Sequence, residues 1–198
     1  MPLESAEGRG VRLARVHDHH LWSDHQTRAS DFVMSITRMH HAVLYVRDAR
    51  VHEVFYREIL GFKTNIEDPG GQYVFMRAPR STNHHDIAFF TIGAGVSNSP
   101  AGRGSVGLYH LAWQVETLGD LAAVRDRLTQ EDCLVGASDH GVNKSLYAVD
   151  PDGLEFEVMW LVPIEFWGEA ETTSVIEPLD LEAEIERFGV DLKSVSDP

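Results

Sequence analysis

A chain of 198 residues that is 43% hydrophobic and 24% charged has the size and composition of one globular domain with a sizeable core. Its formal charge of −14, with no basic cluster, argues against a nucleic-acid partner, whose phosphates need grouped Lys and Arg. No run approaches the roughly 20 apolar residues of a membrane helix, the first 30 residues lack a secretory apolar core, and the single cysteine, Cys133, rules out an internal disulfide framework, so a cytoplasmic home is the default.

Residues 1 to 33 show no sustained periodicity, and residues 1 to 36 are expected to be a flexible N-terminal extension. Its histidines His17, His19, His20 and His25 grip metal at most adventitiously. A domain-like pattern then runs from 37 to 162. The stretch from His41 to Val46 reads as a strand. It leads into a helix over about Ala49 to Leu60, capped by Asp48, stopped by Gly61, with Val51, Val54, Phe55 and Ile59 on one face. Strands over Gln72 to Met76 and Asp86 to Ile92 complete a first unit, ending near 95. A Gly-rich stretch from Gly93 to Gly107 joins it to a second unit, 107 to 162, that repeats the order. There a strand opens at His110, a helix spans about Leu118 to Thr129 behind Thr117, and strands at Ser145 to Val149 and Leu154 to Leu161 flank an Asp-Pro-Asp-Gly turn. Residues 163 to 198 carry ten acidic and two basic side chains, against 16 and 11 in 34 to 162, which marks an acidic accessory segment. Within it Asp180 caps a short helix whose Leu181, Ile185 and Phe188 face the core or a neighbouring subunit, with Gly189 at its end.

The two units superpose at an offset of 69, which pairs His41 with His110, Leu44 with Trp113, Val46 with Val115 and Asp48 with Thr117. Carried back from Glu157, the offset lands on Ala88, so a symmetric four-ligand site is not expected. Two imidazoles and one carboxylate, His41, His110 and Glu157, remain. That set suits non-haem iron(II) with open coordination positions, and manganese(II) about as well. Strand alternation supports it: His41 shares a face with Val43 and Tyr45, His110 with Ala112 and Gln114, and Glu157 with Glu155 and Met159, each opposite an apolar back. A carboxylate in such a run is expected to be buried, and a divalent cation offsets the cost. Singly, each residue has a plainer account: His41 as a hydrogen-bonded core histidine, His40 as the ligand in its place, Glu157 as the partner of an arginine.

The stretch His41-Ala-Val-Leu-Tyr-Val-Arg-Asp48 with Phe55-Tyr56 and Leu60-Gly61-Phe62 resembles the first module of the vicinal oxygen chelate superfamily. His110-Leu-Ala-Trp and Asp150-Pro-Asp-Gly-Leu-Glu-Phe-Glu157 resemble the second. The resemblance implies an α+β fold of two βαβββ modules pairing into a half-open eight-stranded barrel around a metal site. His140-Gly-Val-Asn-Lys-Ser-Leu-Tyr147 is similar to the segment before the metal-binding glutamate in extradiol ring-cleavage dioxygenases, with a histidine-to-tyrosine interval of seven where that group usually has nine. By this likeness the chain takes a catechol and O2 as substrates on Fe(II) or Mn(II), and His85, His140 and Tyr147 are its acid-base and substrate-holding residues. A homodimer or higher homo-oligomer is the expected assembly. His85 is chosen by the pattern His-Asp-x-Ala; simple alternation back from Ala88 instead sends Asp86 and His84 inward.

Three relatives of the same superfamily stay open as alternatives. A glyoxalase-like isomerase or lyase usually takes a further ligand from the first unit, where Ala88 stands. A fosfomycin-resistance-type thiol transferase uses the same two histidines and glutamate. A metal-free small-molecule binding protein leaves those positions idle.

Overall fold

The structure, a computed structural model, describes residues 35–101 and 104–195. The chain divides into two compact units, Met1–Arg38 and Met39–Pro198. Of the first, residues 35–38 are described, exposed and without regular structure. The four leader histidines and most of the expected extension lie outside the described residues.

The second unit repeats one local plan twice. Strand β1 (Ala42–Val46) leads into helix α1 (Ala49–Leu60), then β2 (Lys63–Glu67), β3 (Tyr73–Arg77) and β4 (Ile87–Thr91). The second pass runs β5 (Leu111–Gln114), α2 (Leu118–Gln130), β6 (Leu134–Asp139), β7 (Asn143–Val149) and β8 (Glu155–Leu161). Two short 3-10 turns, a two-residue strand β9 (Glu177–Pro178) and helix α3 (Leu181–Phe188) follow. Helix boundaries fall where the chain supplies caps. The Asp48 carboxylate accepts from the Arg50 N–H at 2.8 Å, Gly61 takes the left-handed conformation that closes the helix, and Thr117 and Asp120 form a reciprocal capping box.

The sheets are ordered β1-β4-β3-β2 and β5-β8-β7-β6-β9. In each, the first and last strands of the βαβββ unit pair in parallel and the rest antiparallel. The registers match across the repeat: Val43 lies opposite Ala88, and Ala112 opposite Glu157, each pair related by the offset of 69. Next to β4 and β8 the offset becomes 72, with Phe75 opposite Ala88 and Tyr147 opposite Glu157.

Each sheet buries one face beneath a helix. Val46, Val74, Met76, Ile87 and Phe89 pack with Ala49, Tyr56 and Phe62; Leu146, Ala148, Phe156, Val158 and Trp160 pack with Leu118, Leu121, Val124 and Leu128. Burying each large side chain contributes about 1.5–3 kcal/mol. Cys133 is a free thiol in the second cluster. The acidic segment joins the same core: Leu181 is buried there, Ile185 and Phe188 pack against it, Arg125 on α2 pairs with Glu182 at 2.6 Å, and the Trp160 indole donates to the Leu192 carbonyl at 3.2 Å. Among the described residues no helix is long and apolar enough to cross a membrane.

The two modules meet through α1 and the backs of β5 and β8. Phe55 and Tyr56 stand 5.9 and 6.1 Å from the Phe156 ring, and Phe62 stands 5.0 Å from Trp113. Two ion pairs related by the repeat close the seam. Arg47, just past β1, binds Asp152 in the turn before β8 through its backbone N–H (2.7 Å) and guanidinium (3.0 Å). Arg80, in the loop before β4, pairs with Glu116 just past β5. The end of each first strand therefore meets the beginning of the other module's strands, and β1 and β5 run in opposite directions. The outer face of the first sheet stays open, with Val43 55% and Tyr45 73% exposed, and the barrel is not closed within the chain.

Candidate active site

Four of the six expected site residues gather on the outer face of the second sheet. Glu157 is buried to 7% exposure, and its Oε2 lies 3.1 Å from Nε2 of His110, which immediately precedes β5. Two cis ligands bound at about 2.1 Å from one ion stand about 3 Å apart, so this pair is spaced to share a cation. The other ring nitrogen of His110 is buried without a hydrogen bond and stands 4.0 Å from Glu155 Oε1. A carboxylate there is placed to take the N–H that ligation through Nε2 leaves on Nδ1. Asn143 Nδ2 donates to Ser145 Oγ at 2.6 Å and reaches Glu157 Oε1 at 3.4 Å. Neither Asn143 nor Ser145 was singled out from sequence. Both share a strand face with Tyr147, so period-two alternation along β7 is the signal that finds them.

Tyr147 faces Glu157 across the β7–β8 ladder, and its ring lies 5.7 Å from that of His110. Burial, then the Glu157 carboxylate, push its phenol pKa up. The phenol bonds to His140 Nε2 at 2.8 Å, and His140 Nδ1 lies 2.9 Å from the Val175 carbonyl. A carbonyl only accepts, so Nδ1 carries the proton, and in the neutral ring Nε2 is the acceptor for the Tyr147 O–H. The shortened interval of seven thus still brings the pair together, because Gly141 turns the chain between β6 and β7 at φ 77°. The acidic segment, through Val175, fixes the tautomer.

The remaining two residues stand elsewhere. His41 immediately precedes β1, and its ring lies 4.4 Å from His85, with His40 and Phe75 5.9 and 5.0 Å from His85. His85 reaches this face because β4 begins only at Ile87. The preceding Asp86 turns into the loop, where it accepts from Ala78 N–H, Ser81 Oγ and Asn83 Nδ2 at 2.7–2.8 Å. Burial, then the neighbouring His41, His84 and His40, hold the His85 pKa down. Within one chain these histidines belong to the first sheet and the His110–Glu157 pair to the second. Among the described residues no group of three His, Cys, Asp or Glu side chains is placed to hold a metal ion. Two donors are spaced for a cation, and among the described residues no third stands with them.

The sequence pattern of the Glyoxalase/Bleomycin resistance protein/Dioxygenase superfamily matches residues 38–158. The chain is 32% identical over 159 residues to biphenyl-2,3-diol 1,2-dioxygenase 3 of Rhodococcus globerulus, covering 73% of this chain and 78% of that protein. It is also 37% identical over 71 residues to biphenyl-2,3-diol 1,2-dioxygenase 2 of the same organism, covering 35% and 36% of the two chains. Among solved structures, a glyoxylase/bleomycin resistance protein/dioxygenase domain from Frankia sp. EAN1pec superposes with a TM-score of 0.55 at 22% identity, covering 66% of this chain and 96% of that one. A glyoxalase/dioxygenase from Nostoc punctiforme gives 0.51 at 17%, covering 67% and 99%. These structural likenesses concern the fold, and with the sequence match over most of the paired modules they lead to one statement: the chain belongs to the glyoxalase/bleomycin resistance/dioxygenase superfamily.

Proposed function

We propose that the protein is a metal-dependent extradiol-type ring-cleavage dioxygenase, taking a catechol and O2 to a ring-opened aldehyde or keto acid. The observation that carries this reading is the hydrogen-bonded Tyr147–His140 pair beside His110 and Glu157. A packing tyrosine has no need of a histidine whose second nitrogen is fixed by a carbonyl. The identity to a biphenyl-2,3-diol dioxygenase over most of both chains supports it. His41, His110 and Glu157 are the proposed ligands of Fe(II) or Mn(II). When bound, such an ion lowers the pKa of a coordinated substrate hydroxyl and holds both reactants side by side.

The chain's own residues manage protons and orientation. Tyr147, whose ring lies 5.7 Å from that of His110, can hold a substrate oxygen bound beside it. His140 accepts a proton through Nε2 when Tyr147 gives one up, while Val175 keeps the ring from turning. Asn143 steadies the second oxygen of Glu157. His85 is proposed as the further acid-base residue. The glyoxalase-type reading asks for a further ligand at the position held by Ala88, a methyl group opposite Val43.

The reading is tested with Tyr147→Phe and His140→Ala. Both are expected to keep their metal content and to lower turnover of simple and bicyclic catechols, biphenyl-2,3-diol among them, by about 100-fold or more. Unchanged turnover in both would refute it.

A further inference from the structure

Lys144 lies on the core face of β7. It shares that face with Leu146 and Ala148, and at 1% exposure it is as buried as they are. Alternation asks for an apolar side chain there. An ammonium taken out of water is costly unless paired, and an apolar residue of similar size commonly serves stability as well or better. What the charge supplies is therefore a fixed geometry, set by its two partners.

The Lys144 Nζ stands 2.5 Å from Asp139 Oδ1 at the end of β6 and 3.2 Å from Glu184 Oε2 on α3. The same Asp139 oxygen accepts from the Gly141 N–H at 2.7 Å, so Lys144 holds the turn on which His140 sits. From Glu184 the chain returns to that turn by another route. Helix α3 follows β9 closely, β9 pairs with Ser138 and Asp139, and Val175, just before β9, sets its carbonyl 2.9 Å from His140 Nδ1. Turn, acidic segment and helix thus form a ring of contacts that Lys144 closes. The Glu184 oxygen is buried without a hydrogen bond, and its other neighbouring cation, Arg187, is farther off at 3.8 Å.

We propose that Lys144 is a positioning residue for His140. By clamping Asp139 and Glu184 at once it keeps the β6–β7 turn and the acidic segment in register, so that the Val175 carbonyl holds the proton on His140 Nδ1 and leaves Nε2 to Tyr147. Lys144 acts through its two carboxylates and not on substrate, since it lies on the face of β7 opposite Tyr147. This rests on the roles given to His140 and Tyr147 above.

Two variants test it. Lys144→Met combined with Asp139→Asn and Glu184→Gln removes the three charges together, leaves none uncompensated, and keeps an oxygen for the Gly141 N–H. Glu184→Ala cuts the tie to α3 alone and leaves the Lys144–Asp139 pair whole. The readouts are the nitrogen-15 signals of the His140 ring in metal-free protein, identified by their loss in His140→Ala, with urea unfolding, and kcat and KM for a catechol in metal-loaded protein. In the parent the neutral ring is expected as the Nδ1–H tautomer alone. In both variants a mixture of the two tautomers is expected, with kcat lower by about 10-fold, KM little changed, and the triple variant close to the parent in stability. A lone Nδ1–H tautomer kept in the triple variant, or in Glu184→Ala should the triple variant not fold, overturns the proposal, as does a mixed ring in the parent. A mixed ring in the variants with undiminished turnover leaves Lys144 its positioning role and overturns the role of His140. A parent without catechol turnover sinks the dioxygenase reading, while the ring signals still decide the role of Lys144.

Discussion

At the residue scale, the chemistry turns on which imidazole faces what. His110 and Glu157 contribute a pair whose geometry already suits an ion, and both lie in a setting where losing one leaves the other partly buried. His110→Ala and Glu157→Ala are therefore expected to lose most of the bound Fe(II) or Mn(II), as read by metal analysis after anaerobic reconstitution. His40→Ala is expected to be much milder than His41→Ala, since alternation from the outward Val43 and Tyr45 sets His41 on that face. The opposite ranking would mean a register one residue different. The repeat offset picks out His110 and Glu157, the resemblance to extradiol dioxygenases picks out His140 and Tyr147, and the structure brings these four side chains onto one face. Neither signal finds Asn143, Ser145 and Val175, the last because a carbonyl from a remote segment leaves no mark on the local pattern. His85 shows a different limit: alternation was carried back through Asp86, but Asp86 is spent on closing its loop, so the strand rule stops at Ile87.

At the element scale, the helices and the parallel strand pairs follow from local signals. Caps at Asp48 and Thr117 and apolar backs at every second residue are strong and contiguous, and the offset of 69 survives in both parallel ladders. The strands after each helix, Lys63–Glu67 and Leu134–Asp139, carry mixed polar sequences with much of their surface exposed, so no periodic apolar face delimits them. The turn between β6 and β7 depends on Gly141. Its φ of 77° suits glycine, and an added Cβ would meet Ala170 Cβ at 2.6 Å and Val175 Cγ2 at 3.4 Å. Gly141→Ala is expected to cost about 1–2 kcal/mol from backbone conformation alone. It should also lower catechol turnover, because the carbonyl that orients His140 lies on the displaced segment. Urea unfolding and a turnover assay check both. A variant as stable and active as the parent would show that the acidic segment does not position the site.

At the scale of the whole molecule, the two modules are held together by packing around α1 and by charges at the seam. His52 is buried there, its Nε2 3.2 Å from Asp150 and 3.9 Å from Asp152, its Nδ1 3.0 Å from the Asp48 carbonyl; Arg47 neutralises Asp152 from the other side. Burial alone would lower the His52 pKa, but these acceptors outweigh it and the net shift is upward. A raised folded-state pKa means that the protonated pair stabilises the fold fully below the unfolded value of about 6.5, and that this contribution fades as pH rises through the folded value. The stability gap between the parent and His52→Asn is accordingly expected to be wider at pH 6 than at pH 9 in urea melts. An equal gap would remove the charge from the account of the seam. Assembly is the scale least legible in sequence, since the offset that pairs His41 with His110 records equivalence within the repeat and not proximity in space.

Oxygen uptake is the measurement that tests the central claim most directly. The anaerobically loaded protein is mixed with a panel of catechols, and O2 consumed is compared with ring-opened product. Extradiol cleavage puts both oxygen atoms into the product, so the two should match one to one. No uptake with any catechol by metal-loaded protein, together with turnover of a thiol adduct, would contradict a dioxygenase and move the chain to another branch of its superfamily.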